Sequence, residues 1–240
     1  MEKETLKSIF NFIEEKEAHK MPFLWKWLNN EPLTEYDLHI KGNLDLGFTK
    51  IISLPEGLKV GGKLSLRNTD IKSLPKGLKV GGMLDLINCK SLTSLPEGLE
   101  VGGTLNLGNC TSLKSLPKDL KVGGYLELEN CTSLTSLPEG LEVQYGINLS
   151  DCKNLKYLPI GLKIGGALDL ENCKSLTSLP EGLKVRGYLD LNKCKSLTSL
   201  PKGLKVDNNL HIKKTPLEKF SDEALLNMIK PGFIVGKIFR

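Results

Sequence analysis

The chain has 240 residues, 25% of them charged and 40% hydrophobic, with a net charge of +5. That length suits one elongated domain, and so mild a basic balance does not by itself call for a nucleic-acid partner. No apolar run approaches the ~18 residues of a membrane helix, and the opening MEKETLKSIF lacks the apolar stretch of a signal peptide, so a soluble cytoplasmic protein is expected.

Residues 1–20 read as an amphipathic helix, with Leu6, Ile9, Phe10 and Ile13 on one face. Pro22 ends the pattern. Phe23, Leu24, Trp25, Trp27 and Leu28 come next, and both tryptophans of the chain lie here. This segment, 1–37, is expected to be a helical cap over the open apolar end of a repeat array; a partner-binding aromatic patch is the alternative.

From residue 38 to 217 the chain repeats. Pro55, Pro75, Pro96, Pro117, Pro138, Pro159, Pro180 and Pro201 stand 20 residues apart once and 21 thereafter. Such a period with a Leu-x-Leu core signals a solenoid. In the unit Ser94–Lys114, Leu105-x-Leu107 alternates like a half-buried strand, and Leu99 and Val101 extend the alternation backwards across a corner at Gly102-Gly103. Leu95-Pro96-Glu97-Gly98-Leu99 reads as a type I turn with Gly fourth. Asp119 replaces that Gly once and is a residue type that tolerates the position. Nine strand copies, centred on Asp45, Ser65, Asp85, Asn106, Glu127, Asn148, Asp169, Asp190 and His211, predict a nine-stranded parallel sheet about 40 Å long on one face. Turns and irregular segments are expected on the other.

The stretch Leu84-Asp85-Leu86-Ile87-Asn88-Cys89 resembles the leucine-rich repeat core, and Ser94-Leu95-Pro96 resembles its short bacterial class. The whole unit is similar to repeats of bacterial and phage-encoded leucine-rich repeat proteins, and the tail from Pro216 looks like theirs. The resemblance implies the solenoid fold and is nearly silent on function. Bacterial effector ubiquitin ligases carry similar repeats beside a separate catalytic domain, for which 240 residues leave no room.

Cys89, Cys110, Cys131, Cys152, Cys173 and Cys194 recur every 21 residues. Zinc sites and disulfide frameworks show mixed spacings instead. One thiol per repeat reads as a structural ladder of small buried groups donating weakly to the adjacent coil. The first two coils carry Thr49 and Thr69 there and lack one residue just after. Residues 218–240 are expected to be a C-terminal cap: a short helix with Ser221 as N-cap and a Phe220–Leu225 staple, then an apolar tail from Phe233.

Alternation leaves three outward columns on the sheet. Their second half gathers Glu127, Glu129, Asp169, Glu171 and Asp190 beside Tyr125 and Tyr188, while lysines such as Lys121, Lys163 and Lys184 are read as lying in the turns. Stacked carboxylates repel, and tyrosines beside charges favour interfaces, so these seven residues are the candidate partner-binding set. The plain alternative is a polar face that keeps a sheet wet. His19, His39 and His211 are scattered, with no nucleophile motif, metal spacing or phosphate loop. The expectation is therefore a monomeric, non-enzymatic protein-binding module with no cofactor or metal, whose partner is another protein with a basic patch. Ion or nucleic-acid binding, or a purely structural repeat, is the second reading.

Overall fold

The computed structural model describes residues 23–240. The helix expected over residues 1–20 lies outside them. Helix α1 (Phe23–Leu28) buries Phe23, stacks it on Trp27 at 5.7 Å and lays Trp27 against the core. It is fastened by the Lys26 ammonium on Asp37 at 2.9 Å. Burial works to raise the Asp37 carboxyl, but hydrogen bonds from Thr34, then Lys26, outweigh it and hold the group below its ordinary range.

Beyond α1 the chain is a parallel β-solenoid with two ten-stranded sheets, in place of the single nine-stranded sheet expected. Each coil supplies two residues to each sheet, on either side of the glycine corner. The first sheet stacks Lys59–Val60 on Lys79–Val80 and so on, and the second stacks Leu64–Ser65 on Leu84–Asp85. We number the coils 1 to 10 by their second-sheet strands, from Leu44–Asp45 to Ile238–Phe239. In the middle coils the pattern Lys-Val-Gly-Gly-x-Leu-x-Leu explains the geometry. Val101, Leu105 and Leu107 turn inward and are fully or almost fully buried, while the residues between them face out. In these middle coils glycine suits the corner because successive corners touch through backbone: a Cβ on Gly102 would stand 2.2 Å from the Gly81 carbonyl oxygen.

The Pro-x-Gly-Leu bend differs from expectation. Its hydrogen bond runs from the Leu78 N–H to the Pro75 carbonyl at 3.4 Å, which puts Gly77 third, at φ 72°. A third residue at positive φ belongs to a type II turn, where glycine is favoured. Asp119 does not adopt positive φ; its bend keeps the Leu120-to-Pro117 bond at 3.4 Å without it.

After each of the first nine second-sheet strands one residue enters the left-handed region. Asn68, Asn88, Asn109, Asn130 and Asn172 do so at φ 56–61°, a conformation Asn tolerates better than most residues. Their amides bond across coils, Asn88 Nδ2 donating to Asn68 Oδ1 at 2.9 Å and Asn130 to Asn109 at 2.8 Å.

At the C-terminal end, helix α2 (Asp222–Ile229) is capped by the Ser221 hydroxyl, which accepts from the Ala224 N–H at 3.2 Å, and it buries Leu225 and Ile229. The apolar tail expected after it joins both sheets. Phe233–Ile234 pairs with Lys205–Val206 and Ile238–Phe239 with Leu210–His211, so it forms a tenth coil in both sheets.

Candidate functional site

The outward side chains of the second sheet change character along the solenoid. In coils 1–3, cations neutralise the acids: Lys63 Nζ reaches the buried Asp85 at 3.0 Å, and the Arg67 guanidinium sits 5.5 Å over the Phe48 ring. From coil 5 onward the face turns acidic and aromatic.

Tyr125 and Tyr188 occupy one column, 49% and 42% exposed, with only Gly146 and Ala167 between them. Three coil spacings separate them, about 14 Å. Tyr145 stacks on Tyr125 at 5.3 Å. On the far side the Tyr188 ring meets His211 edge-on at 6.1 Å, and His211 stacks on Phe239 at 4.9 Å. Two aromatic flanks therefore bound a notch floored by small residues. In the sequence Gln144-Tyr145 visibly displaces the glycine pair of coil 6, but nothing local connects it with Tyr125. The shift of glycine one place later, to Gly146, is the signal: it trades a side chain in the notch for one on its wall.

Glu127, Asn148, Asp169 and Asp190 follow one another in register along the neighbouring column and are half-buried. Most members of this column also close their own turn. Asp169 Oδ1 accepts from the Glu171 N–H and Asp190 Oδ1 from the Asn192 N–H, both at 2.8 Å, as Asn106 and Asn148 do in theirs. That Asx geometry explains why Asp and Asn recur here. It leaves the charge in place; at Asp190 the Asn192 amide also donates to Oδ2 at 3.2 Å. Burial pushes the Asp169 carboxyl above its usual range, and Asp190, Glu171 and Glu127 push the same way, with the Glu171 N–H opposing. Burial likewise raises Asp190, though His211 and Lys193 oppose it. The Tyr188 hydroxyl is raised by burial first, then by Asp169, Asp190 and Glu127.

Of the seven residues singled out by sequence, five come together here: Tyr125, Glu127, Asp169, Tyr188 and Asp190. Glu171 lies beside them but is held by Lys193 at 2.6 Å, and Glu129 is exposed on the outer column, two coils away from Glu171.

The lysines assigned to turns belong instead to the first sheet. Lys59, Lys79, Lys121, Lys163, Lys184 and Lys205 are the outward residues of its strands, interrupted by Glu100 and Glu142. Glu100 bridges Lys79 at 2.8 Å and Lys121 at 2.9 Å, and those hydrogen bonds lower its carboxyl to about 2. Lys163 pairs with Glu142, and Lys205 lies 5.6 Å over the Phe233 ring. Lys184 has no ion pair among the described residues. With Arg186 and Lys163 it lines a groove of about 550 Å³.

The six thiols are free and buried. Each donates to a leucine carbonyl of the preceding coil, for example Cys131 to Leu107 at 3.2 Å and Cys152 to Leu128 at 3.1 Å. Burial pushes Cys110, Cys152 and Cys194 up to about 12, and Cys131 and Cys173 higher still; sulfur in that state is a poor nucleophile. Among the described residues no group of three or more His, Cys, Asp or Glu is placed to hold a metal ion, and no helix is long and apolar enough to cross a membrane. No protein-family model and no curated protein matches the chain.

Proposed function

We propose that the chain is a non-enzymatic protein-binding module of the leucine-rich repeat type, and that the second sheet between Tyr125 and Tyr188 receives a basic segment of a protein partner. One observation carries this reading: two exposed tyrosines flank half-buried carboxylates, Glu127, Asp169 and Asp190, that form no ion pair among the described residues, in contrast to Asp85, which Lys63 pairs at 3.0 Å. A cation placed there gains from Asp169 and Asp190 together and from the ring faces beside them. Rim charges steer the encounter and the tyrosines anchor it.

With a partner isolated from the native cell, Tyr125→Ala or Tyr188→Ala is expected to cost about 2 kcal/mol of binding. Changing Glu127, Asp169 and Asp190 together to Ser is expected to slow association and flatten its salt dependence. Changing Lys121, Lys163 and Lys184 to Ser serves as the comparison set in the same titration. If that set abolishes binding to the isolated partner while the acidic set does nothing, the first sheet is the site and the second reading, polyanion binding along the lysine column and Arg186, takes its place.

A further inference from the structure

We infer that the acidic face has a partner in this chain itself: the lysine column on the first sheet of a second copy, the two solenoids lying side by side and running the same way. The inference rests on the second sheet being the binding face, and it replaces the monomer expected from sequence.

Two observations carry it. Both sheets are built from the same coils, so their columns share one pitch, about 4.8 Å. A straight row of charges on one therefore stays in step with a row on the other over any number of coils. The charges also match position by position. Along coils 5 to 8 the second sheet presents Glu127, Asn148, Asp169 and Asp190, and the first presents Lys121, Glu142, Lys163 and Lys184. In parallel register every carboxylate of one copy meets a lysine of the other. The single glutamate in the basic row falls opposite the single neutral residue of the acidic row, Asn148.

Sliding either copy by one coil brings a carboxylate against Glu142. One antiparallel arrangement also gives three matches, with Lys121, Lys79 and Lys59, and each arrangement uses two lysines already in ion pairs: Lys79 and Lys121 with Glu100 in this one, Lys121 with Glu100 and Lys163 with Glu142 in the parallel one. The parallel register alone lays Asp169 and Asp190 against the groove lined by Lys163, Lys184 and Arg186, where Lys184 has no ion pair among the described residues. It also supplies cations to Asp169 and Asp190, whose carboxyls their own surroundings push toward the neutral form. The contact is heterologous, one sheet of each copy meeting the other sheet of the next, so it extends sideways until a ring closes. A strip four coils long is roughly 20 Å by one sheet width, at the small end of specific interfaces. The association is thus weak and governed by salt.

Sedimentation of the full chain over a range of concentrations tests this. Wild type is expected to associate at about 20 mM salt and to lose about tenfold or more in affinity by about 500 mM. The variant Asp169→Lys/Asp190→Lys and the variant Lys163→Glu/Lys184→Glu are each expected to sediment as monomers. An equimolar mixture of the two is expected to associate again, because each then offers what the other lacks. Circular dichroism and unfolding midpoints establish that both variants are folded. If wild type stays monomeric at low salt, self-recognition is overturned. If it then still binds a labelled hexalysine peptide through Asp169 and Asp190, the acidic binding face stands without it; loss of both removes that reading as well. Association that survives in either variant, or that is abolished by Lys59→Glu/Lys79→Glu and not by Lys163→Glu/Lys184→Glu, overturns the parallel register.

Discussion

The coils with threonine at the ladder position and those with cysteine solve one problem in two ways. In the shorter coils 1 and 2, Thr49 and Thr69 turn their hydroxyls back on their own coil, donating to Leu46 and Leu66 carbonyls at 2.7 Å. In the longer coils that carbonyl is met by backbone: the Cys110 N–H donates to Leu107 at 3.0 Å, and the extra residue closes a turn in which the Leu113 N–H reaches Cys110 at 3.0 Å. The side chain is then released to bond elsewhere. The thiol reaches the preceding coil, Cys110 Sγ to the Leu86 carbonyl at 3.2 Å. This accounts for the joint appearance of the insertion and the sulfur. With the added residue the turn closes on the ladder residue, whose own N–H then donates to the carbonyl that the hydroxyl meets in coils 1 and 2. Thr215 of coil 9, where the long loop is again missing, combines the two: its hydroxyl donates to the Ile212 carbonyl at 2.6 Å and its N–H to the same carbonyl at 3.2 Å, and the hydroxyl also caps the adjoining 3₁₀ turn at Pro216–Lys219.

Mismatching loop and side chain should do the most damage. Deleting Thr132 while keeping Cys131 makes coil 5 short without a hydroxyl and is expected to cost about 3 kcal/mol of unfolding free energy, by orphaning buried backbone and disturbing the core. Adding Cys131→Thr to that deletion is expected to recover part of the loss in urea denaturation. No recovery would show that length and side chain are not coupled. The converse mismatch, Cys152→Thr in an unaltered long coil, places a branched group in a filled core and withdraws a donor from Leu128. A loss of about 1–2 kcal/mol is expected, with an unchanged denaturant slope; an unchanged midpoint would contradict the bond's role.

A smaller effect is expected one residue earlier in the coil. Lys193 holds the left-handed position at φ 61°, where most coils have Asn. Lys193→Asn is expected to stabilise by somewhat under 1 kcal/mol, since backbone relief of about 1 kcal/mol is partly offset by loss of the exposed contact with Glu171. A lowered unfolding midpoint would count against strain at this position.

The repeat, its inward leucines and the Asn and Cys rows were legible because each is a short-range pattern repeated many times. The first sheet was not. Two-residue strands such as Lys121–Val122 leave only one inward residue each, so the alternation of Leu99 and Val101 read as an approach to the glycine corner rather than as a sheet, and the lysines beside it read as turn residues. Coil 10 was hidden because helix α2 separates it from its neighbour and Val235-Gly236 stands where the glycine pair belongs. The spacing of Ile234 to Ile238, equal to that of Val206 to Leu210, was the available sign. The Tyr125–Tyr145 stack brings together side chains 20 residues apart on different coils, and no local pattern reports such a pair. Five of the seven candidate residues fall together because they share columns that period and alternation determine. The Glu171–Lys193 pair, by contrast, depends on side chains reaching between columns.

The thiol row gives the solenoid a record of its own undoing. Every sulfur is tied to the coil before it, so each marks one particular joint. Peeling from the C-terminal side frees Cys194 from Leu170 while Cys89 is still held by Leu66; peeling from the other end reverses the order. Burial keeps a closed joint chemically silent at neutral pH. The sequence in which the six sulfurs become reactive therefore spells out the direction in which the stack comes apart.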